Sequence, residues 1–311
     1  MKAAQLTDYE NIEFINIVEI EKPTLKEGQV LVEVHAASLN PFDTTIRKGF
    51  MKEAIPLELP VTLGGDIAGI VSEVAEGVEN IAIGNKVYGQ ANIVAGNSGA
   101  FAQFAATSAK QVGKAPANLD FNEAASMPLV GVSAHQALTE HIDLQKDQKL
   151  FIHGGAGGIG AVAIQIAKHI GAYVATTASG EGIGLVKKLG ADEVIDYKSD
   201  DFSGILKDFD AAFDTVGGND FAKTFGILKQ SGVAVTMIAQ FDGDDAKKHG
   251  VTAFHQQTRV STRALDELTE LIESGVVTPN VGKVFSLDEI KEAFTARESG
   301  SVQGKVVIEM K

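Results

Sequence analysis

The 311-residue chain contains no cysteine and no tryptophan. Without cysteine there is no disulfide, no thiolate zinc site, no iron–sulfur cluster and no cysteine nucleophile. Positive charge is also scarce: 27 Lys+Arg stand against 41 Asp+Glu, a net charge of -14. A surface that acidic repels phosphate backbones and anionic lipid, which argues against nucleic-acid and membrane partners and leaves small anionic ligands open. No apolar run approaches the ~18 residues of a membrane span, and the opening Met1 to Asp8 lacks the apolar core of a signal peptide. The expectation is a soluble, cytoplasmic protein.

Hydrophobic residues make up 44% of the chain, enough for two buried cores. The length suggests two domains at about 150 residues each. The first third reads as short strands, among them 29–38, 66–74, 85–89 and 99–105, separated by glycine and proline. The texture changes near Leu119, where Asn122 is positioned to cap a helix from Glu123, and Val132 to His141 reads as a second helix. Strands and helices then alternate, which implies a doubly wound parallel sheet. From Thr262 the chain returns to shorter elements and ends in an apolar strand, Gly304 to Met310. The expected plan is α/β, with residues 119–261 as a nucleotide-binding domain inserted into a β-rich domain made of 1–118 and 262–311.

The strongest motif is His153-Gly154-Gly155-Ala156-Gly157-Gly158-Ile159-Gly160. It contains G-x-G-x-x-G at Gly155, Gly157 and Gly160, directly after one predicted strand and opening a helix that leads to the next. Gly155 permits the tight turn, Gly157 lets backbone approach a pyrophosphate, and Gly160 lets helix pack on strand. The helix N-terminus offers unpaired N–H groups and partial positive charge to the diphosphate. An NAD site places an acid about 20 residues past the first glycine, on the ribose hydroxyls. Here the strand ends Thr177-Ala178-Ser179-Gly180-Glu181. Ala178 stands where the acid is expected, Ser179 offers a hydroxyl, and Glu181 lies beyond the strand end. NADPH is the expected cofactor.

Further motifs are Ala37-Ser38-Leu39-Asn40-Pro41-Phe42-Asp43-Thr44-Thr45-Ile46-Arg47, Gly64-Gly65-Asp66-Ile67-Ala68-Gly69, Gly84-Asn85-Lys86-Val87-Tyr88-Gly89, Leu189-Gly190-Ala191-Asp192 and Asp214-Thr215-Val216-Gly217-Gly218. In this order they make the chain resemble the medium-chain dehydrogenase/reductase superfamily, and within it the zinc-free quinone oxidoreductases. The resemblance implies a Rossmann domain inserted in a GroES-like catalytic domain. Zinc alcohol dehydrogenases of the superfamily place cysteine where this chain has Asn40 and histidine where it has Gly65. None of the seven histidines falls in a metal-binding spacing such as H-E-x-x-H, so no metal is expected.

Without a Lewis acid, a hydride donor is suited to quinones and α,β-unsaturated carbonyls, whose negative charge delocalises onto a distant oxygen. The resemblance implies that reaction on a small-molecule electrophile, with enoyl-thioester reduction or non-catalytic redox sensing as alternatives. Asn40 is the candidate hydrogen-bonding group. Thr45 stands where many relatives carry a tyrosine that the enoyl-thioester reductases use as proton donor; a threonine is too weak an acid for that, so solvent is the expected proton source. Asp43 and Arg47 are spaced to pair on a helical turn. For the cofactor, the resemblance points to Ser133 near the nicotinamide or its phosphates, to Ser179, Tyr197 and Lys198 around the 2′-phosphate, and to Val216, Gly217, Ile238 and Ala239 over the nicotinamide ribose and ring. It also implies a homodimer, with the strand Val233 to Ile238 as the exposed edge that pairs.

Overall fold

A computed structural model describes residues 1–310. The chain forms two compact units, one made of 1–129, 260–273 and 279–311, the other of 130–259 and 274–278.

The first unit begins with β1 (Lys2–Leu6), β2 (Ile15–Glu19), β3 (Gln29–Ser38), α1 (Pro41–Arg47), β4 (Val61–Thr62), β5 (Asp66–Val74), β6 (Lys86–Gln90), β7 (Phe104–Ser108), β8 (Val112–Lys114) and α2 (Phe121–Ala125). The second contains most of α3 (Pro128–Gln136), then β9 (Lys149–His153), α4 (Gly158–Ile170), β10 (Tyr173–Ala178), α5 (Glu181–Lys188), β11 (Glu193–Asp196), β12 (Phe209–Asp214), α6 (Asp220–Lys223), β13 (Leu228–Thr236), α7 (Gly243–Lys248) and β14 (Thr252–His255). The chain returns to the first unit with α8 (Thr262–Glu273), β15 (Val281–Ser286), α9 (Ile290–Glu298) and β16 (Lys305–Glu309).

In the first unit, the larger sheet runs β15-β16-β3-β5-β6-β8, with β7 also on β3, and a smaller sheet runs β2-β1-β4. The C-terminal strand closes the unit by pairing antiparallel to β3, Val307 opposite Ser38. Alternate apolar residues of β3 (Val30, Val32, Val34) meet Ile67, Val71, Val87, Phe101, Phe294 and Ile308 in one core. The start of α1 follows from its sequence. Pro41 suits the first helical position, and the Asp43 carboxylate accepts the Asn40 backbone N–H at 2.7 Å.

The second unit holds one six-stranded sheet, β11-β10-β9-β12-β13-β14, with every pair parallel. Its central strands are apolar on both faces, as a sheet covered by helices on both sides requires; Leu150, Phe151 and Ile152 of β9 are all buried. The helix α4 opens on Gly157 and ends where Gly171 turns left-handed at φ 93°.

The structure departs from the sequence reading in several places. The first unit extends to Leu129, beyond the expected boundary at residue 118, because α2 packs on β3 and β5. Asp120, not Asn122, caps α2: its carboxylate accepts the Glu123 N–H at 2.8 Å while Glu123 reaches back to the Asp120 N–H. The helix expected over Val132 to His141 begins earlier, at Pro128, and widens into a π-turn over Ala137–His141. Residues 99–102 are irregular rather than a strand, since Gly99 sits at φ 88° hard against the Thr62 carbonyl and the strand starts at Phe104. The strand expected as a free edge, Val233 to Ile238, is not one. β14 pairs beside β13 in register Val233 to Thr252, and the outer strand on that side is β14.

Candidate active site

Two polar constellations stand out, one in each unit. In the second unit the glycine-rich turn joins β9 to α4. A Cβ on Gly155 would lie 2.1 Å from Thr176 Oγ1, and one on Gly160 would lie 2.3 Å from the Gly154 carbonyl oxygen. Both positions therefore demand glycine for space. The turn is held by Thr177, whose hydroxyl accepts the Gly154 N–H at 2.9 Å and whose carbonyl accepts that of Gly155 at 3.1 Å. Gly157 caps the helix without a side chain, so helix geometry leaves the N–H groups of Gly158, Ile159 and Gly160 with no intrahelical acceptor. Ala156 sits half-buried at the crest of this turn beside exposed Gly157.

Ser179 and Tyr197 follow the ends of neighbouring strands, since Ala178 on β10 is in register with Asp196 on β11. Ser179 is half-buried, and Tyr197 and Lys198 are exposed. The strand ends thus bring these three together with no carboxylate at Ala178. Glu181 is exposed and is the first residue of α5.

Past β12 and β13 lie Val216 and Ile238, both more than half exposed although apolar. Gly217, at φ 83°, lets the first of these loops lie against Ile238: its Cβ would stand 3.1 Å from that of Ile238. Beneath them Asp214 is fully buried. Its Oδ1 accepts the N–H groups of Val216 (3.1 Å) and Gly217 (3.0 Å) and lies 3.0 Å from His153 Nδ1; its Oδ2 accepts the Thr236 hydroxyl at 2.7 Å. Burial alone pushes the carboxyl upward, but the donors from His153, Thr236, Gly217 and Val216 together outweigh it and hold Asp214 below the usual range. An ionised carboxylate only accepts, so His153 Nδ1 is the donor in this bond. Ser133 is fully buried, and its hydroxyl is shared with Thr258 at 2.7 Å.

In the first unit the Asn40 side chain is buried and held on both sides of its amide. Its Nδ2 donates to Asp66 Oδ2 at 2.9 Å, and its Oδ1 accepts from Lys305 Nζ at 2.5 Å. Lys305 also donates to the Leu39 carbonyl at 3.0 Å, while Asp66 accepts from Gln90 at 2.9 Å and from the Leu129 N–H at 3.3 Å. Burial pushes Asp43 up to about 7, with the Asp66 charge adding and the Asn40 N–H and Lys305 opposing. Burial likewise raises Asp66 and pushes Lys305 down to about 8, the latter partly offset by the two carboxylates. Thr45 is half-buried and donates its hydroxyl to the Pro41 carbonyl at 3.2 Å, as helical threonines commonly do. The expected Asp43–Arg47 pair is not formed as drawn from spacing: Arg47 pairs with Glu298 at 2.8 Å, and Asp43 is occupied with the start of its own helix.

Residues 26–117 match the family described as alcohol dehydrogenase GroES-like domain, and residues 189–308 match that described as zinc-binding dehydrogenase. The chain is 34% identical over 317 residues to a 2-methylene-furan-3-one reductase of Solanum lycopersicum, covering 99% of this chain and 79% of that protein. It is 32% identical, with the same coverage, to an NADPH-dependent alkenal/one oxidoreductase, chloroplastic, of Arabidopsis thaliana. The solved quinone oxidoreductase from Coxiella burnetii superposes with a TM-score of 0.92 at 33% identity, covering 100% of this chain and 99% of that one. The chain belongs to the quinone oxidoreductase branch of the medium-chain dehydrogenase/reductase superfamily. Its fold is that superfamily's, a Rossmann-type parallel sheet with a GroES-like domain.

Two groups that the superfamily implies can be tested against these residues. A dinucleotide fits: the turn is built of glycines whose Cβ atoms would collide with backbone and Thr176, and it ends in unpaired helical N–H groups. A zinc ion does not fit at Asn40, despite the second matched family's description. The amide oxygen there already accepts from the Lys305 ammonium, a cation that would repel the metal, and among the described residues no three His, Asp or Glu side chains are grouped to ligate one. Sequence reasoning did not single out Lys305, Thr236 or the linking role of Asp214. The available signals were a lysine opening the apolar run Val306-Val307-Ile308 and an aspartate closing Ala211-Ala212-Phe213. Among the described residues no helix is long and apolar enough to cross a membrane.

Proposed function

We propose that this chain is an NADPH-dependent reductase that delivers hydride to carbon of quinones or α,β-unsaturated carbonyls without a metal ion. The observation that carries the reading is the glycine-built helix start with Ser179, Tyr197 and Lys198 at the strand ends and no carboxylate at Ala178. The N–H groups of Gly158, Ile159 and Gly160 would hold the diphosphate. Ser179, Tyr197 and Lys198 would receive the 2′-phosphate, which an acid at Ala178 would repel. Val216, Gly217, Ile238 and Ala239 would flank the nicotinamide, the exposed side chains of Val216 and Ile238 giving its ring an apolar surface.

When bound, NADPH supplies a hydride. Delivered to the β-carbon of an enone, that hydride would leave the negative charge on the carbonyl oxygen as an enolate, and one proton from water would complete a saturated ketone. For a quinone the product is the hydroquinone. The relatives named for furanone, alkenal and quinone reduction support this class of acceptor. The protein's contribution is to orient the two reactants and donate hydrogen bonds to the developing oxyanion. Asn40 is our candidate donor: Lys305 and Asp66 fix which way its amide points and engage one of its two N–H bonds. Thr45 keeps its proton, and solvent protonates the enolate. The homodimer would form through the outer edge of β14, and we place the protein in the cytoplasm.

The test is loss of NADPH absorbance when purified protein meets a panel of quinones, enones and enoyl thioesters, with a chelator present throughout. Rapid oxidation by quinones or enones, indifferent to the chelator, is expected. Preference for the thioesters would move the reading to an enoyl-thioester reductase. Saturable NADPH binding without turnover would make the chain a sensor instead.

A further inference from the structure

The two loops assigned to the nicotinamide leave the sheet from different strands, yet they share one hydrogen-bonding centre. Asp214 closes β12 and accepts the N–H groups of Val216 and Gly217. Its other oxygen takes the Thr236 hydroxyl, and the same Thr236 Oγ1 accepts the N–H groups of Ile238 (3.2 Å) and Ala239 (2.9 Å). Thr236 therefore spends its single proton on the carboxylate and its lone pairs on the second loop. His153 closes β9 immediately before the glycine-rich turn and donates Nδ1–H to the same carboxylate. The His153 carbonyl also accepts the Thr215 N–H (3.2 Å) and hydroxyl (2.8 Å). Three adjacent strand ends, in register through Asp214 to His153 and Asp214 to Thr236, are tied at one point.

We propose that Asp214, relayed by Thr236, is the positioning residue that sets both nicotinamide loops against each other before any cofactor arrives. The inference rests on the reductase reading for what those loops hold, but the clamp itself is a property of the free protein. It makes a graded prediction. Removing the relay loosens only residues 238 and 239; removing the carboxylate's charge loosens 216, 217, 238 and 239 together. Neither group touches solvent, so both act through the loops they hold.

The test compares Thr236→Val, which keeps shape and loses the hydroxyl, Thr236→Ser, which restores it, and Asp214→Asn. Amide hydrogen exchange of the free proteins is read at the four loop amides, and NADPH affinity by fluorescence titration. Thr236→Val is expected to speed exchange at Ile238 and Ala239 while sparing Val216 and Gly217, and to weaken NADPH about tenfold, the size of one or two lost hydrogen bonds. Thr236→Ser returns both readouts to within about twofold of the parent, and Asp214→Asn speeds exchange at all four amides. Unchanged exchange and affinity in Thr236→Val overturn the proposal, as does a Thr236→Ser variant no better than the valine. If the variants show the graded exchange pattern but the parent protein binds no NADPH, the clamp stands as structure and the reductase reading falls, together with the clamp's purpose.

Discussion

Asp66 in the first unit and Asp214 in the second are both fully buried, yet their carboxyl groups are pushed in opposite directions. Asp66 is held mainly by side-chain amides and the charge of Lys305, and burial wins. Asp214 receives a hydroxyl, an imidazole N–H and two backbone N–H groups at its own strand end, and the donors win. Exposure alone does not set the direction of the shift; the closeness and rigidity of the donors do, since two of the four on Asp66 stand at 3.3 and 3.5 Å while each of the four on Asp214 lies within 3.1 Å. The first unit thus stores poised charge, with Lys305 down at about 8 and Asp43 up at about 7. The second unit uses ionised Asp214 as a fixed anchor for loops.

The largest break in this comparison should come from Lys305→Met. It removes the only cation bonded to Asn40 among the described hydrogen bonds and leaves Asp66 buried without it, which should cost about 3–5 kcal/mol in urea unfolding. A loss under about 1 kcal/mol would mean that the cluster does not depend on that charge.

Next in size is the pH dependence of stability. Asp43 has a folded pKa of about 7 against an ordinary 3.8, so between those values the folded state holds a proton that the unfolded state has released. Stability from this group therefore falls as pH rises from about 4 to about 7. Asp43→Asn should flatten that fall by about 4 kcal/mol between those limits, as differential scanning calorimetry across pH would show. Parallel profiles for the two proteins would contradict the poised carboxyl. Asp214 should give the reverse sign, stability present above its unfolded pKa and lost as pH drops through its lowered folded value.

Gly160→Ala probes the second unit's tight turn. Its Cβ would meet the Gly154 carbonyl and the Gly155 Cα, both backbone, so the turn must shift. A loss of about 1–3 kcal/mol in unfolding free energy is expected, with NADPH affinity falling in parallel. The smallest effect sharpens that contrast. Gly184 lies mid-helix in α5 with open space around its Cβ position, so Gly184→Ala should stabilise by about 0.5–1 kcal/mol in the same assay.

The parts legible in the sequence were those set by local chemistry. The G-x-G-x-x-G turn between a strand and a helix needs glycine for reasons of contact distance, so its pattern survives in one dimension. The αβ alternation of the second unit was legible for the same reason. What could not be read was tertiary pairing. Lys305 and Asn40 meet only because β16 lies beside β3, and nothing local to either residue announces the other. Helical spacing pairs Arg47 with Asp43, but Arg47 instead bonds Glu298, far along the chain. The true edge strand, Thr252–His255, is only four residues long and carries too little periodicity to stand out in the sequence. Asp214 was visible as part of a motif, but its tie to Thr236 and His153 depends on strand order.

The most direct test of the account is to follow the hydride itself. NADPH carrying deuterium at the transferred position would be mixed with the protein and a small enone under chelator, and the product examined by NMR. The account predicts a saturated ketone with deuterium on the β-carbon. Deuterium on the carbonyl carbon of an allylic alcohol, or none transferred, would contradict it.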